Sequence, residues 1–244
     1  MSPRGLTAAS SVETRLQRID WEAIARGLGD QGWATTPPLL TAAECAELIA
    51  LYPEDGRFRS RVDMARFRFG EGEYKYFANP LPPTVLDLRR HAYPRLAPIA
   101  DAWSMALGGK PTHPPDLDGF LAICAERGQT RPTPLLLRYE AGGYNCLHQD
   151  LYGEISFPLQ MVFLLGQQGR DWEGGEFILV EQQPRAQSRP QVVLADCGQA
   201  ILFTTRYRPV KGSRGYYRVN LRHGVSRVHC GMRYTLGIIF HDAK

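Results

Sequence analysis

The sequence predicts an α+β chain in which N-terminal helices brace one sheet of a strand-rich sandwich or small barrel. Two observations predict it. Residues 1–130 carry helix caps and apolar residues at helical spacing, and from about Pro132 the texture changes to short β-branched and aromatic runs separated by glycine turns. The 244 residues suffice for one large domain. Residues 1–130 are therefore expected to form a mainly helical region packed on a core at 131–244, as one compact unit.

The elements follow in order. Asp20 is placed to cap a helix running WEAIARGLGD, with Gly27 and Gly29 expected to end it. Thr41-Ala-Ala-Glu44 is a capping box, in which the hydroxyl takes the N3 amide and the carboxylate reaches back. Cys45, Leu48, Ile49 and Tyr52 then fall on one stripe, and Pro53 marks the end. Thr84 is placed to cap a helix through Leu86 to Tyr93, with Pro94 or Pro98 restarting it toward Trp103 and Leu107. A last helix is expected around Leu117 to Arg127, closed by Gly128.

Between these helices, Arg57 to Phe69 alternates basic and apolar residues, which suits a strand or hairpin with one wet face. It reads either as a solvated edge strand or as a basic substrate lip. After Pro132 the runs LLLRYE, LQMVFLLG, GEFILVE, VVLA, QAILFTT, YYRVNLRH and MRYTLGIIFHD give seven or eight short strands. Gln182 to Pro190 reads as an exposed loop.

Composition excludes several classes. With 43% apolar and 22% charged residues the chain is an ordinary globular protein, and a net charge of +4 permits an anionic partner without demanding one. The N-terminus has no apolar core of signal-peptide length, and no apolar run approaches the ~18 residues needed to span a bilayer. Five scattered cysteines without CxxC spacing argue against a zinc ribbon or disulfide framework, so a cytoplasmic protein with reduced thiols is expected.

The chemistry centres on two segments. In His148-Gln149-Asp150, residues two apart on an extended chain share a face, with α-carbons ~6.6 Å apart. An imidazole and a carboxylate can then meet one ion, although the tripeptide alone also reads as a surface His beside a turn Asp. His223 precedes GVSRVHCGM and Arg233 at the entry to the final apolar strand. Two histidines and one carboxylate leave three positions of a metal open, which suits non-haem iron(II). The Arg233 fork can hold a carboxylate bidentately, and 2-oxoglutarate offers one. Because Tyr234, Leu236, Ile238 and Phe240 are apolar, Arg233, Thr235 and Gly237 are expected to line the other face, at a cavity.

Together LLRYEAGGYNCLHQD, GGEFILVE, GQAILFTT and HGVSRVHCGMRYTLGIIF resemble the 2-oxoglutarate/iron(II) dioxygenase superfamily in order and spacing, over about 110 residues. The resemblance extends to an uncharacterised bacterial subgroup suspected of acting on nucleic acids. The stretch GWATTPPLLTAAECAELI is similar to the lead-in of prolyl-hydroxylase-type members. It implies a double-stranded β-helix (jelly-roll) core, iron(II) held by His148, Asp150 and His223, and 2-oxoglutarate anchored by Arg233, with O2 as oxidant. Tyr139, in an R-Y-x-x-G context, matches a tyrosine that touches the cosubstrate, and Thr235 would point into the same pocket. Packing is the plainer role for both.

His229 is the rival third ligand, but it stands four residues before Arg233 where the family spacing is about ten. His91, His113 and His241 are expected to face solvent or bond locally, and Glu176 to be structural. Glu154 is the substitute carboxylate. The substrate stays open between a protein side chain, a small molecule and a nucleobase. Arg57, Arg59, Arg61, Arg66 and Arg68 with Phe58, Phe67 and Phe69 form one candidate nucleic-acid surface. Arg206, Arg208, Lys211, Arg214 and Arg218 with Tyr207, Tyr216 and Tyr217 form a second. Two other classes remain: a non-catalytic cupin-like metal-binding protein, which leaves Arg233 without a role, and a zinc hydrolase, whose general base would have to be Glu154.

Overall fold

The computed structural model describes residues 10–150 and 153–244. Five α-helices precede the main strand run: α1 (Val12–Gln17), α2 (Trp21–Gln31), α3 (Ala42–Ala50), α4 (Pro83–Ala106) and α5 (Leu117–Glu126). Among them lie β1 (Trp33–Thr35), β2 (Phe58–Asp63), β3 (Gly70–Glu71) and β4 (Glu73–Phe77). The second half supplies β5 (Leu135–Glu140), β6 (Tyr144–His148), β7 (Leu159–Leu164), β8 (Trp172–Gly174) and β9 (Phe177–Gln182). It closes with β10 (Arg189–Val193), β11 (Ala200–Thr204), β12 (Tyr207–Gly212), β13 (Gly215–Val225) and β14 (Val228–Ile238).

The strands form two antiparallel sheets, which is the jelly-roll core. The larger runs β1-β11-β7-β14-β5-β4-β2, with β8 paired to β14; the smaller runs β10-β9-β13-β6-β3, with β12 paired to β13. Period-two alternation gives the larger sheet two apolar faces. Leu136, Met161, Phe163, Leu202, Leu236 and Ile238 pack into one core with the helices, through Leu28, Leu48, Leu88 and Leu96. Tyr139, Val162, Leu164, Ile201 and Phe203 pack against Phe177, Leu179, Leu221 and Val225 of the smaller sheet. The helices thus brace one face of one sheet, as the sequence predicts, and the space between the sheets holds the site.

The caps at Asp20 and Thr41 form as expected: the Asp20 side chain accepts from Ala23 N, and both halves of the Thr41–Glu44 box are made. Two helix boundaries differ from expectation. α2 runs through Gly27 and Gly29 and stops only at Gly32. Burial of Ile24 and Leu28 offsets the roughly 1 kcal/mol that each interior glycine costs. α4 is one continuous helix of 24 residues with Pro94 and Pro98 inside it, and Thr84 caps nothing: Pro83 takes the first helical position. A nearly continuous buried stripe outweighs the amide bonds lost at the prolines. Within it the fully buried Arg89 donates to the carbonyls of Ile239 and Phe240 and to Asp242 Oδ1 at 2.7 Å.

Residues 57–69 do contain a strand: β2 pairs with β4 and forms an edge of the larger sheet. No helix among the described residues is long and apolar enough to cross a membrane.

Candidate metal centre and cofactor cavity

The centre is built by pairing β6 with β13. His223 stands directly across from His148 in the register, and cross-strand partners project to the same side with β-carbons ~5 Å apart. The rings lie 4.2 Å apart, centroid to centroid. Asp150 follows two residues after His148, just past the end of β6, and turns back toward both. Its Oδ1 lies 3.5 Å from His148 Nε2 and its Oδ2 lies 3.3 Å from His223 Nε2. One ligand atom from each residue falls within 4.8 Å of the others. Ligands at ~2.1 Å from a shared ion in adjacent positions sit ~3 Å apart, so this spacing suits a metal.

Hydrogen bonds aim the donors. His148 Nδ1 lies 2.8 Å from the Cys146 carbonyl. A carbonyl only accepts, so Nδ1 carries the proton and Nε2 presents its lone pair to the centre. Gln160, from β7, donates from Nε2 to Asp150 Oδ2 at 2.7 Å. Burial works against the Asp150 charge, yet His223, His148 and the Gln160 amide together hold its carboxyl well below the usual range. Burial and the His223 ring pull the His148 imidazole down, with Asp150 opposing. The lowered His148 imidazole and the ionised Asp150 carboxylate both favour binding of a divalent metal.

Beside this cluster a cavity of about 410 Å3 opens between the sheets. β14 lines it with Arg233, Thr235 and Gly237, and β5 with Tyr139, the face that alternation along β14 predicts. Arg233 is only 1% exposed. It makes no ion pair among the described residues, and its Nε has no hydrogen-bond partner. Its guanidinium lies over the rings of Tyr139 at 5.5 Å and Trp172 at 6.0 Å. Burial pulls it down to about 10, with Tyr139 and Glu176 opposing, so it remains a cation at neutral pH. Burial pushes the Tyr139 hydroxyl up to about 12, with Arg233 opposing, and keeps it neutral. A buried cation without a counter-ion is costly unless an anion arrives to pair with it. Gly175 fixes its position: at φ +63, a β-carbon there would fall 2.9 Å from Arg233 Cδ.

The remaining candidates fall elsewhere. His229 is exposed and outside the cluster, and Glu154 is exposed beside Arg127 at 3.7 Å. The zinc-hydrolase reading thereby loses its general base. Glu176 is structural, as expected: its amide donates to Ser226 Oγ at 2.9 Å and its carboxylate accepts from Gln168. His113 bonds Asp101 at 2.7 Å. His241 departs from expectation, being fully buried with Nδ1 accepting from Phe157 N at 3.1 Å. The basic clusters are partly consumed as well. Arg208 is buried against Glu181 at 2.8 Å, Arg59 donates to the Pro132 carbonyl at 2.7 Å, and Arg61 pairs with Glu73. Of the 57–69 arginines only Arg68 lines the cavity. Sequence reasoning missed Gln160, although a lone amide in the apolar run LQMVFL was a signal, and it missed the cavity walls Tyr74 and Tyr76.

An oxygenase family, described as catalysing oxidative methylation of damaged DNA, matches residues 72–243. Two uncharacterized proteins from two strains of Mycobacterium tuberculosis are each 48% identical over 167 residues, covering 68% of this chain and 72% of theirs. A Pseudomonas putida prolyl-4-hydroxylase superposes with a TM-score of 0.51 at 14% identity, over 92% of this chain and 99% of its own. The non-haem alpha-ketoglutarate-dependent epimerase SnoN, from nogalamycin biosynthesis, superposes with a TM-score of 0.56 at 16% identity, over 90% and 81%. At those identities the two structures bear on the fold alone.

Proposed function

Because the chain belongs to the oxygenase family described as catalysing oxidative methylation of damaged DNA, we propose that it oxidises an alkylated base in DNA at the His148–Asp150–His223 centre. The enzyme is an oxidoreductase that uses iron(II), 2-oxoglutarate and O2. Bound together, these supply hydroxylation of a C–H bond, with one oxygen atom entering the substrate and the other entering succinate as CO2 is lost. On an N-methyl group the resulting N–CH2OH releases formaldehyde and restores the N–H.

The protein's part is binding and orientation. His148, Asp150 and His223 hold the metal, with His148 fixed by the Cys146 carbonyl and Asp150 by Gln160. Arg233 pairs with the distal carboxylate of 2-oxoglutarate. Tyr139 stands opposite it in the β5–β14 register and supports the guanidinium from its ring face. Thr235, the next residue on the cavity face of β14, offers a hydroxyl to the same carboxylate. Tyr74 and Tyr76 give the cavity an aromatic wall suited to a flat base.

The observation that carries this reading is Arg233: a buried cation that makes no ion pair among the described residues, facing the cavity that contains the three ligands. The test is succinate release with oligonucleotides bearing an N-methylated base, compared with the unmodified strand. Wild type should turn over only with the methylated strand, and His223→Ala should be inactive. Visible absorption on anaerobic addition of iron(II) and 2-oxoglutarate tests the centre without a substrate. Absorption without turnover on any methylated strand would remove the base and leave the oxygenase.

A further inference from the structure

The turn between β2 and β3 carries Phe67, Arg68 and Phe69, the last two lining the cavity. Phe67 and Phe69 are 57% and 46% exposed, and their rings stack on each other with centroids 5.5 Å apart and planes 21° off parallel. Arg68, between them, adopts left-handed backbone (φ 60, ψ 29), a conformation that disfavours side-chain-bearing residues and that glycine takes freely. Local folding therefore does not explain an arginine here. Arg68 and Phe69 line the same cavity as the metal cluster.

The turn is held in place. Phe69 N donates to Met64 O at 3.1 Å, and the Phe69 carbonyl accepts from Cys146 N at 2.8 Å, on the strand that ends in His148. At Gly70 (φ +137) a β-carbon would lie 2.3 Å from the Tyr144 carbonyl, so β3 approaches β6 as only glycine allows. On the other side of His148–Asp150, Gln149 Nε2 donates to the carbonyls of Arg206 and Leu221, both at 2.9 Å. That amide ties down the root of the β12–β13 hairpin. No acidic residue occurs between Thr205 and Asn220, and Arg206, Lys211, Arg214 and Arg218 are exposed.

We propose that this rim binds an unpaired DNA strand. The Phe67–Phe69 pair stacks on the base beside the one that enters the cavity, while Arg68 and the hairpin cations meet phosphates on either side of the entrance. The proposal rests on the base-oxidation reading and adds the form of the substrate. Two facts favour an unpaired strand. A base in a cavity of about 410 Å3 must leave its stack. Its neighbour then offers a bare ring face, which a stacked duplex covers and an exposed aromatic pair can take.

The experiment measures fluorescence anisotropy of anaerobic protein carrying iron(II) and 2-oxoglutarate, titrated with a short unmodified single strand and with the blunt duplex of the same sequence. The single strand should bind roughly tenfold or more tighter than the duplex. Replacing both rings, Phe67→Ser with Phe69→Ser, should weaken single-strand binding about tenfold or more. Arg68→Gly should lower the slope of log affinity against log salt by about 0.7, the value for one phosphate contact on a single strand. Its melting temperature should equal or exceed that of wild type, which separates lost contact from lost fold. Equal or tighter duplex binding, or variants that bind like wild type, would overturn the proposal. Oxidation of methylated nucleosides by a wild type that binds no strand overturns the rim alone. A protein that oxidises neither nucleoside nor strand overturns the base reading itself.

Discussion

Replacing Arg233 with Met should stabilise the metal-free protein while crippling cosubstrate binding. The guanidinium falls from an ordinary value of 12.5 to about 10 on folding, which corresponds to about 3 kcal/mol against the folded charge. Its contacts with the Tyr139 and Trp172 rings, at 5.5 and 6.0 Å, return about 0.5–2 kcal/mol. Methionine fills a similar volume without the charge, so the metal-free variant should gain about 1–2 kcal/mol. For a chain of this length that raises the melting temperature by roughly 2–8 °C. The same change leaves the distal carboxylate of 2-oxoglutarate buried without a partner, at a cost of about 2–5 kcal/mol, or roughly 30-fold to several-thousand-fold in Kd. Arg233→Lys keeps the charge but not the fork, and should fall between. Thermal denaturation of the metal-free protein and anaerobic calorimetric titration with 2-oxoglutarate read the two effects separately. A variant that melts below wild type and binds 2-oxoglutarate equally well would show that Arg233 is a structural residue.

Three further outcomes follow from the same geometry. Gln160→Leu removes the 2.7 Å bond that orients Asp150 and should weaken metal affinity about 10- to 100-fold; chelator competition against cobalt(II) absorption measures this, and unchanged affinity would exclude the role. Gly175→Ala should cost about 1–2 kcal/mol through its left-handed backbone and raise the Kd for 2-oxoglutarate by displacing Arg233, so urea denaturation and titration should both move. His241 is buried and held down to about 4 from 6.5, by burial and then by Arg89. Between those values the unfolded chain carries a proton that the folded one lacks, so stability rises with pH there. About 3 kcal/mol should be lost from pH 7 to pH 4, and His241→Asn, which keeps an acceptor for Phe157 N, should flatten that part of the urea-midpoint profile.

How much of this was legible in the sequence depended on the range of the interaction. The two-residue spacing let His148 and Asp150 meet one ion without making them ligands, which the resemblance supplied, whereas the β14 alternation by itself placed Arg233 and Thr235 on one face. That His223 sits across from His148 is a register between segments 75 residues apart, and only the resemblance carried it. α4 defied local reading because proline costs are local, whereas the burial that outweighs them involves distant partners such as Asp242. Counting arginines could not show that Arg208 is spent on Glu181 while Arg68 is free to line the cavity. The buried state of His241 was hidden for the same reason: its acceptor role depends on Phe157, eighty-four residues earlier.

The larger sheet also separates the unit that carries the chemistry from the unit that folds. All the proposed ligands and the cosubstrate anchor lie within residues 72–243, the stretch matched by the family. Yet β1 closes one side of β11, residue by residue from Trp33–Phe203 to Thr35–Ile201, and β2 closes β4 on the far side. A chain trimmed to the matched stretch would leave β11 and β4 as raw edges, and α1–α3 would no longer cover the apolar face beside them. Unpaired strands of that kind recruit other strands. Such a fragment should therefore self-associate, and expression of this enzyme for biochemistry needs the residues from Val12 onward, where α1 begins, well upstream of anything that touches metal or cosubstrate.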